Sequence, residues 1–166
     1  MNALPDAEAL LERLAAQIRP RLVPGTAMIG LYTGGAWVAE RLHAALGLAE
    51  PLGLMDVAFY RDDYSRKGLK QDPKRTRIPF EVAGRDLLLV DDVLYTGRTV
   101  RAALNELFDY GRPKSVALAV LADRGGRQLP ICAQHCGAEI SVPEGARLRL
   151  KRAADGRLSL EVERGA

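Results

Sequence analysis

Leu87-Leu88-Leu89-Val90-Asp91-Asp92-Val93-Leu94-Tyr95-Thr96-Gly97-Arg98-Thr99 decides the fold of this chain. The first four residues form a continuous apolar run, the pattern of a strand buried on both faces. Beyond the string, Val100 to Tyr110 reads as a helix with Val100, Ala103, Leu104 and Leu107 on one side; Gly111 stops it and Pro113 follows. Strand, turn and helix in that order put the turn beyond the carboxyl end of a parallel sheet, where ligands bind in open α/β folds. Asp91 and Asp92 emerge there, and two adjacent carboxylates after a buried strand are costly unless something uses them. Gly97 lets backbone approach a ligand closely. The N–H groups of the first helical turn have no intrahelical partner, and the helix dipole favours negative charge beside them. Thr96 and Thr99 add hydroxyl donors. Carboxylates that accept from sugar hydroxyls thus stand next to a phosphate cradle. A ribose 5-phosphate satisfies both halves. A single aspartate here reads more simply as a helix cap; the ten-residue string from Val90 to Thr99 does not.

Around this unit, helical and strand patterns alternate, which predicts an α/β fold with a central, mostly parallel β-sheet flanked by helices. Leu10, Leu11, Leu14, Ala15 and Ile18 recur at helical spacing behind Asp6, an N-cap, and the helix is expected to end before Pro20. Ala27 to Leu31 has strand length. Thr33-Gly34-Gly35 breaks the run, and Trp37 to Leu46 is expected to be a helix ending near Gly47. Leu52 to Phe59 and Val116 to Leu121 read as strands. Between Tyr60 and Pro79 the pattern dissolves into a polar stretch holding Arg61, Arg66, Lys67, Lys70, Lys74, Arg75 and Arg77. A connection of that length in a small domain is a candidate lid. In the tail, Leu148 and Leu150, then Leu158, Leu160 and Val162, alternate about Asp155-Gly156, a hairpin signal. This antiparallel hairpin is expected on the sheet edge or at an interface. The whole, 1–166, reads as one domain with a flexible loop over about 60–79, a small hood over about 122–142 and the hairpin over 147–162.

Composition excludes several classes. No apolar run is long enough to span a bilayer, and Met1 to Ala9 lacks the basic start and apolar stretch of a secretory signal, so a cytoplasmic protein is expected. The net charge of +3, from 24 basic and 21 acidic residues, is too mild to demand nucleic acid. Cys132 and Cys136 bracket His135, but His43 is the only other histidine and a metal site needs three or four convergent ligands. Neither G-x-x-x-x-G-K-[ST] nor G-x-G-x-x-G occurs, which removes P-loop and dinucleotide-binding readings.

Val90 to Thr99 closely resembles the signature of type I phosphoribosyltransferases. The longer match, through Asp109-Tyr110-Gly111-Arg112-Pro113 and Leu121-Ala122-Asp123-Arg124-Gly125-Gly126-Arg127-Gln128-Leu129-Pro130-Ile131, with Phe59-Tyr60-Arg61-Asp62-Asp63 upstream, looks like the PyrR family. That family regulates pyrimidine operons and has uracil phosphoribosyltransferase activity. The resemblance runs from about Ala27 to Ile140, and the tail after Pro143 matches loosely.

What the resemblance implies is specific. The fold would be that of type I phosphoribosyltransferases. Uracil and 5-phosphoribosyl 1-pyrophosphate (PRPP) would give UMP and pyrophosphate, with Mg²⁺ entering on PRPP and its waters rather than on the protein alone. Asp91 and Asp92 would hold the ribose hydroxyls; the run Val93, Leu94, Tyr95, Thr96, Gly97, Arg98 and Thr99 would bind the 5-phosphate. Thr33, Gly34 and Gly35 would form the pyrophosphate loop, often with a cis peptide. Arg61 would close over the reacting groups. Asp123, Arg124 and Arg127 would belong to the hood that receives the base. A homodimer or higher homo-oligomer is implied, as is pyrimidine-operon mRNA as a partner. The alternative reading is an RNA-binding attenuator, or a UMP or PRPP sensor, with little or no catalysis. Two departures stand out. Tyr32 and Gly35 stand at loop positions where well-known members carry basic residues, and Gly126 replaces a histidine common in the hood. Arg13, Arg19, Arg21 and the tail residues Arg147, Arg149, Lys151 and Arg152 are candidate RNA contacts; the simpler reading of the tail charges is protection of a sheet edge.

Overall fold

The computed structural model describes residues 3–57 and 76–165. Its elements are α1 (Ala7–Ile18), a 3-10 turn (Arg19–Arg21), β1 (Ala27–Leu31), α2 (Gly34–Leu46), β2 (Gly53–Met55), β3 (Asp86–Leu94), α3 (Arg98–Asp109), β4 (Ser115–Asp123), β5 (His135–Glu139), β6 (Ala146–Arg152) and β7 (Leu158–Arg164). The first five strands form one parallel sheet in the order β2-β1-β3-β4-β5. The last two form a separate antiparallel pair.

Strand periodicity divides the core between the two faces of the sheet. Met28, Leu88, Val90, Ala119 and Leu121 point toward α1, α2 and the hairpin. Their neighbours Ile29, Leu31, Leu87, Leu89, Leu118 and Val120 pack with Val100, Ala103 and Leu107 of α3. Asp6 caps α1 as expected, its carboxylate accepting from Glu8 N at 3.3 Å. The helix ends at Ile18, and the chain tightens into the 3-10 turn through Pro20.

Five expectations need adjusting. The helix expected from Trp37 begins at Gly34, so the glycines that read as breakers are its first turn. The strand over Leu52 to Phe59 is seen only as Gly53–Met55, and positions 58–59 lie outside the described residues. The strand ending at Val90 continues through both aspartates to Leu94, paired with β4 as far as Asp123. Of the hood segment 122–142, His135–Glu139 is β5, an edge strand of the main sheet paired with Ala119–Asp123. The tail hairpin is present, but it does not extend the main sheet. Its Leu148, Leu150, Leu158 and Leu160 are buried against α1 and α2; each buried leucine contributes roughly 1.5–3 kcal/mol.

Candidate active site

Beyond the carboxyl ends of β1 and β3 lies a cleft of about 750 Å³. Three pieces of chain wall it: Tyr32, Thr33, Gly34 and Trp37 at the start of α2, the run Asp91–Val100 with Arg124, and residues 147–151 of β6.

The central run is shaped by β3 and α3. Asp91 is buried (6% exposed), and its Oδ1 accepts from Asp92 N at 2.9 Å. Asp92 is half-buried and lines the cleft. Gly97 turns the chain into α3 with φ of 91°, a conformation that side chains resist. Thr96 Oγ1 accepts from Arg98 N at 3.2 Å, just ahead of the helix start that the sequence marked as a phosphate cradle, and the N-cap itself is Gly97. Tyr95 is exposed at the mouth, with the Arg124 guanidinium 3.9 Å above its ring centroid.

The turn is braced from behind by the segment after β4. Arg124 N donates to Leu94 O at 3.0 Å, and Gln128 N and Leu129 N donate to Thr96 O at 3.0 and 3.2 Å. Arg127 Nη1 donates to Tyr95 O at 2.6 Å while its Nη2 pairs with Asp123 at 2.5 Å. Arg98 Nε donates to Gln128 Oε1 at 3.0 Å. Of the three hood residues singled out in the sequence, Arg124 faces the cleft, whereas Asp123 and Arg127 hold each other and the turn. Gly126 has φ of 80°, and a Cβ there would lie 2.4 Å from Tyr95 Cε2; the space a side chain would need is filled by the ring.

Close packing also sets the pyrophosphate-loop candidates. The Tyr32–Thr33 peptide is cis. A Cβ at Gly34 would lie 2.2 Å from Asp92 Oδ2, and one at Gly35 would lie 2.8 Å from Val90 O. Glycine therefore lets α2 press its first turn against the carboxylate strand. Thr33 and Gly34 line the cleft, and Gly35 is packed beneath it. Arg61 and the cations from Arg66 to Arg75 lie outside the described residues.

Sequence reasoning gave no role to Trp37, counted Gln128 only within the hood string, and placed Arg147, Arg149 and Lys151 on an edge or an RNA-contacting surface rather than a cleft wall. Alternation with buried leucines marked those three as one face of a strand; nothing local marks which cavity the strand borders. Behind α3, Thr76 Oγ1 donates to Glu106 Oε1 and accepts from Asp56 N, both at 3.0 Å. Burial pushes the Glu106 carboxyl above the ordinary carboxylate range, with the Thr76 bond opposing the shift. Among the described residues no group of three or more His, Cys, Asp or Glu is placed to hold a metal.

A parallel sheet with a carboxylate pair and a glycine turn at its carboxyl edge defines the phosphoribosyltransferase class, and the phosphoribosyl transferase domain family matches residues 1–142. A hypoxanthine-guanine phosphoribosyltransferase from Bacillus anthracis shares the fold, with a TM-score of 0.66 at 19% identity and 84% of each chain covered. The bifunctional protein PyrR of Ralstonia nicotianae is 52% identical over 155 residues, covering 91% of this chain and 88% of that protein. PyrR of Pseudomonas paraeruginosa is 49% identical, with 89% of each covered. The chain belongs to the PyrR family of phosphoribosyltransferases.

Proposed function

We propose that the protein is a uracil phosphoribosyltransferase that converts uracil and PRPP to UMP and pyrophosphate, with a second role in regulating pyrimidine biosynthesis genes through RNA. One observation carries the catalytic reading: a carboxylate pair and a phosphate turn, continuous in sequence from Asp91 to Thr99, share one wall of a cleft sized for a nucleotide. The family supports it, because relatives at about half identity are named bifunctional PyrR.

In this reading Thr96–Thr99 holds the 5-phosphate, and Asp91 and Asp92 accept from the ribose hydroxyls. The bond from C1 to the pyrophosphate oxygen loosens, its electron pair leaves with pyrophosphate, and N1 of uracil attacks from the opposite face while giving up its proton. The protein's share is orientation and charge placement. The two aspartates set the sugar's angle and favour the cationic character developing on it. Tyr95, Arg124 and the chain behind them form the base side. The hard carboxylate oxygens of Asp91 and Asp92 suit Mg²⁺, which would enter as a passenger on PRPP beside them. When bound it offsets charge on the leaving group. Arg61 is assigned to closing over the reacting groups.

The regulatory role draws on the word "bifunctional" in the relatives' name and on surface arginines. Arg13 and Arg19 are exposed, and each donates to a backbone carbonyl, Gly137 O at 3.2 Å and Ala45 O at 2.9 Å. Leader-RNA affinity that falls steeply with salt is the expected signature. The cytoplasm is the proposed compartment, and among the described residues no helix is long and apolar enough to cross a membrane. A homodimer or higher homo-oligomer is the proposed assembly.

Competition calorimetry tests the shared site. UMP and PRPP are expected to displace each other, one per chain. Simultaneous binding of both at full affinity would overturn the assignment of the Asp91–Thr99 turn to both 5-phosphates.

A further inference from the structure

The 5-phosphate turn is gripped from behind by a side chain that does not itself line the cleft, Arg127. Its guanidinium donates twice: Nη1 to Tyr95 O at 2.6 Å and Nη2 to Asp123 Oδ2 at 2.5 Å. Both partners of the ion pair are largely withdrawn from solvent, with 26% of the arginine side chain and 18% of the aspartate side chain exposed. Charge-assisted bonds of this length are stronger than neutral ones. The neighbouring bond from Arg98 Nε to Gln128 Oε1 is longer, at 3.0 Å, and joins two exposed side chains, so it is the weaker hold. Asp123 is fixed in turn. It ends β4, in register with Leu94 of β3 and Glu139 of β5, and its Oδ1 accepts from Gly125 N at 2.9 Å. Arg127 therefore ties the turn to the frame of the main sheet.

Peptide geometry says what that tie controls. In a planar trans peptide the C=O and the N–H point in opposite directions. The Tyr95–Thr96 and Thr96–Gly97 peptides are both trans, since the cis bond among the described residues is Tyr32–Thr33. Arg127 draws Tyr95 O toward the segment after β4, and Gln128 N and Leu129 N draw Thr96 O the same way. The N–H groups of Thr96 and Gly97 are thereby turned away from that segment. Among the described residues, neither of these two N–H groups has a hydrogen-bond partner. Together with the first N–H groups of α3 they are donors suited to an anion. The Tyr95 ring is held as well: a Cβ at Gly126 would lie 2.4 Å from it, and the Arg124 guanidinium sits 3.9 Å from its centroid.

We propose that Arg127, anchored by Asp123, is a positioning residue of the 5-phosphate turn: it acts through Tyr95 O to aim the N–H groups of the turn, and so sets the affinity for the 5-phosphate of substrate and product. The inference rests on the phosphoribosyl-transfer reading of the cleft. It gives Arg127 a part in holding the sugar phosphate, whereas the family resemblance placed it with the base.

The test is calorimetry on the full chain, with UMP, uridine and PRPP with Mg²⁺ as separate probes. Uridine is UMP without its phosphate and reports on the rest of the site; its Kd is read by displacement of UMP. Arg127→Met keeps a long side chain and removes the donors. In that variant Kd for UMP and PRPP is expected to rise roughly tenfold, while Kd for uridine stays within about twofold. Arg127→Lys keeps the charge but cannot present two N–H groups as a fixed fork, and a loss of roughly threefold for UMP is expected. Wild-type affinity for UMP in Arg127→Met would overturn the proposal and leave the active-site reading standing, as would an equal loss for UMP and uridine, the mark of a general defect. If Arg127→Met does not fold, Arg127→Lys decides by the same comparison of UMP with uridine. Wild-type protein that binds neither UMP nor PRPP would defeat both the proposal and the reading on which it rests.

Discussion

The sugar-phosphate part of the cleft lining is one unbroken run, Asp91 to Thr99, whereas the rest is assembled from Arg124, the start of α2 and strand β6, far apart in the chain. On the first side a strand end and a helix start fix each other's geometry, and residues 124–129 brace the turn through backbone bonds. On the second, the geometry depends on how a hairpin and a helix dock. A site built from contiguous residues is written in local pattern; one built by docking is written only in the packing of buried leucines.

This contrast predicts the largest losses on the contiguous side. Gly97→Val adds a branched side chain where φ is 91° and where a Cβ already lies 3.1 Å from Ile131. It is expected to weaken PRPP and UMP binding by on the order of 10²-fold or more. Calorimetry showing wild-type affinity would contradict the phosphate turn. Asp92→Asn keeps the shape and removes the charge; kcat/KM is expected to fall by on the order of 10²-fold. Unchanged turnover would take Asp92 out of the site. Gly34→Ala probes where the two sides touch, because its Cβ would meet Asp92 Oδ2 at 2.2 Å. Displacing that carboxylate is expected to cost about tenfold in kcat/KM, and steady-state kinetics indistinguishable from wild type would show that the two sides move independently.

The smallest effect is expected away from both. Glu106 is a buried carboxyl whose folded pKa is raised, chiefly by burial. Its contribution to stability is present at pH below the ordinary carboxylate value and is lost as pH rises through the folded value. Glu106→Gln keeps an acceptor for Thr76 and carries no charge. It is expected to be more stable than wild type at pH 7, with the gap closing as pH falls through the carboxylate range. Urea unfolding at several pH values measures this, and a gap independent of pH would contradict the burial of a charge.

Particular residues explain how much was legible. The apolar runs 27–31, 87–90 and 116–121 gave three strands of the sheet, and helical spacing gave α1 and α3. The end of β3 was hidden because carboxylates look like loop, although Asp91 and Val93 pair with Val120 and Ala122. β5 was hidden for a different reason. His135-Cys136-Gly137-Ala138-Glu139 has no branched or aromatic signal, and Gly137 is small because a Cβ would lie 2.4 Å from Leu121 O. The start of α2 was masked by glycines that serve contact with Asp91 and Asp92 rather than a turn. The hairpin itself was read correctly from alternation about Asp155-Gly156, yet its place above the cleft is a property of the docked whole.

The most direct measurement is steady-state formation of UMP from uracil and PRPP with Mg²⁺, with other nucleobases assayed in parallel. Turnover with uracil and not with the other bases is the expected result. Turnover with a purine base in place of uracil, or no turnover with any base despite tight binding of PRPP, would contradict the assignment of this site to uracil phosphoribosyl transfer.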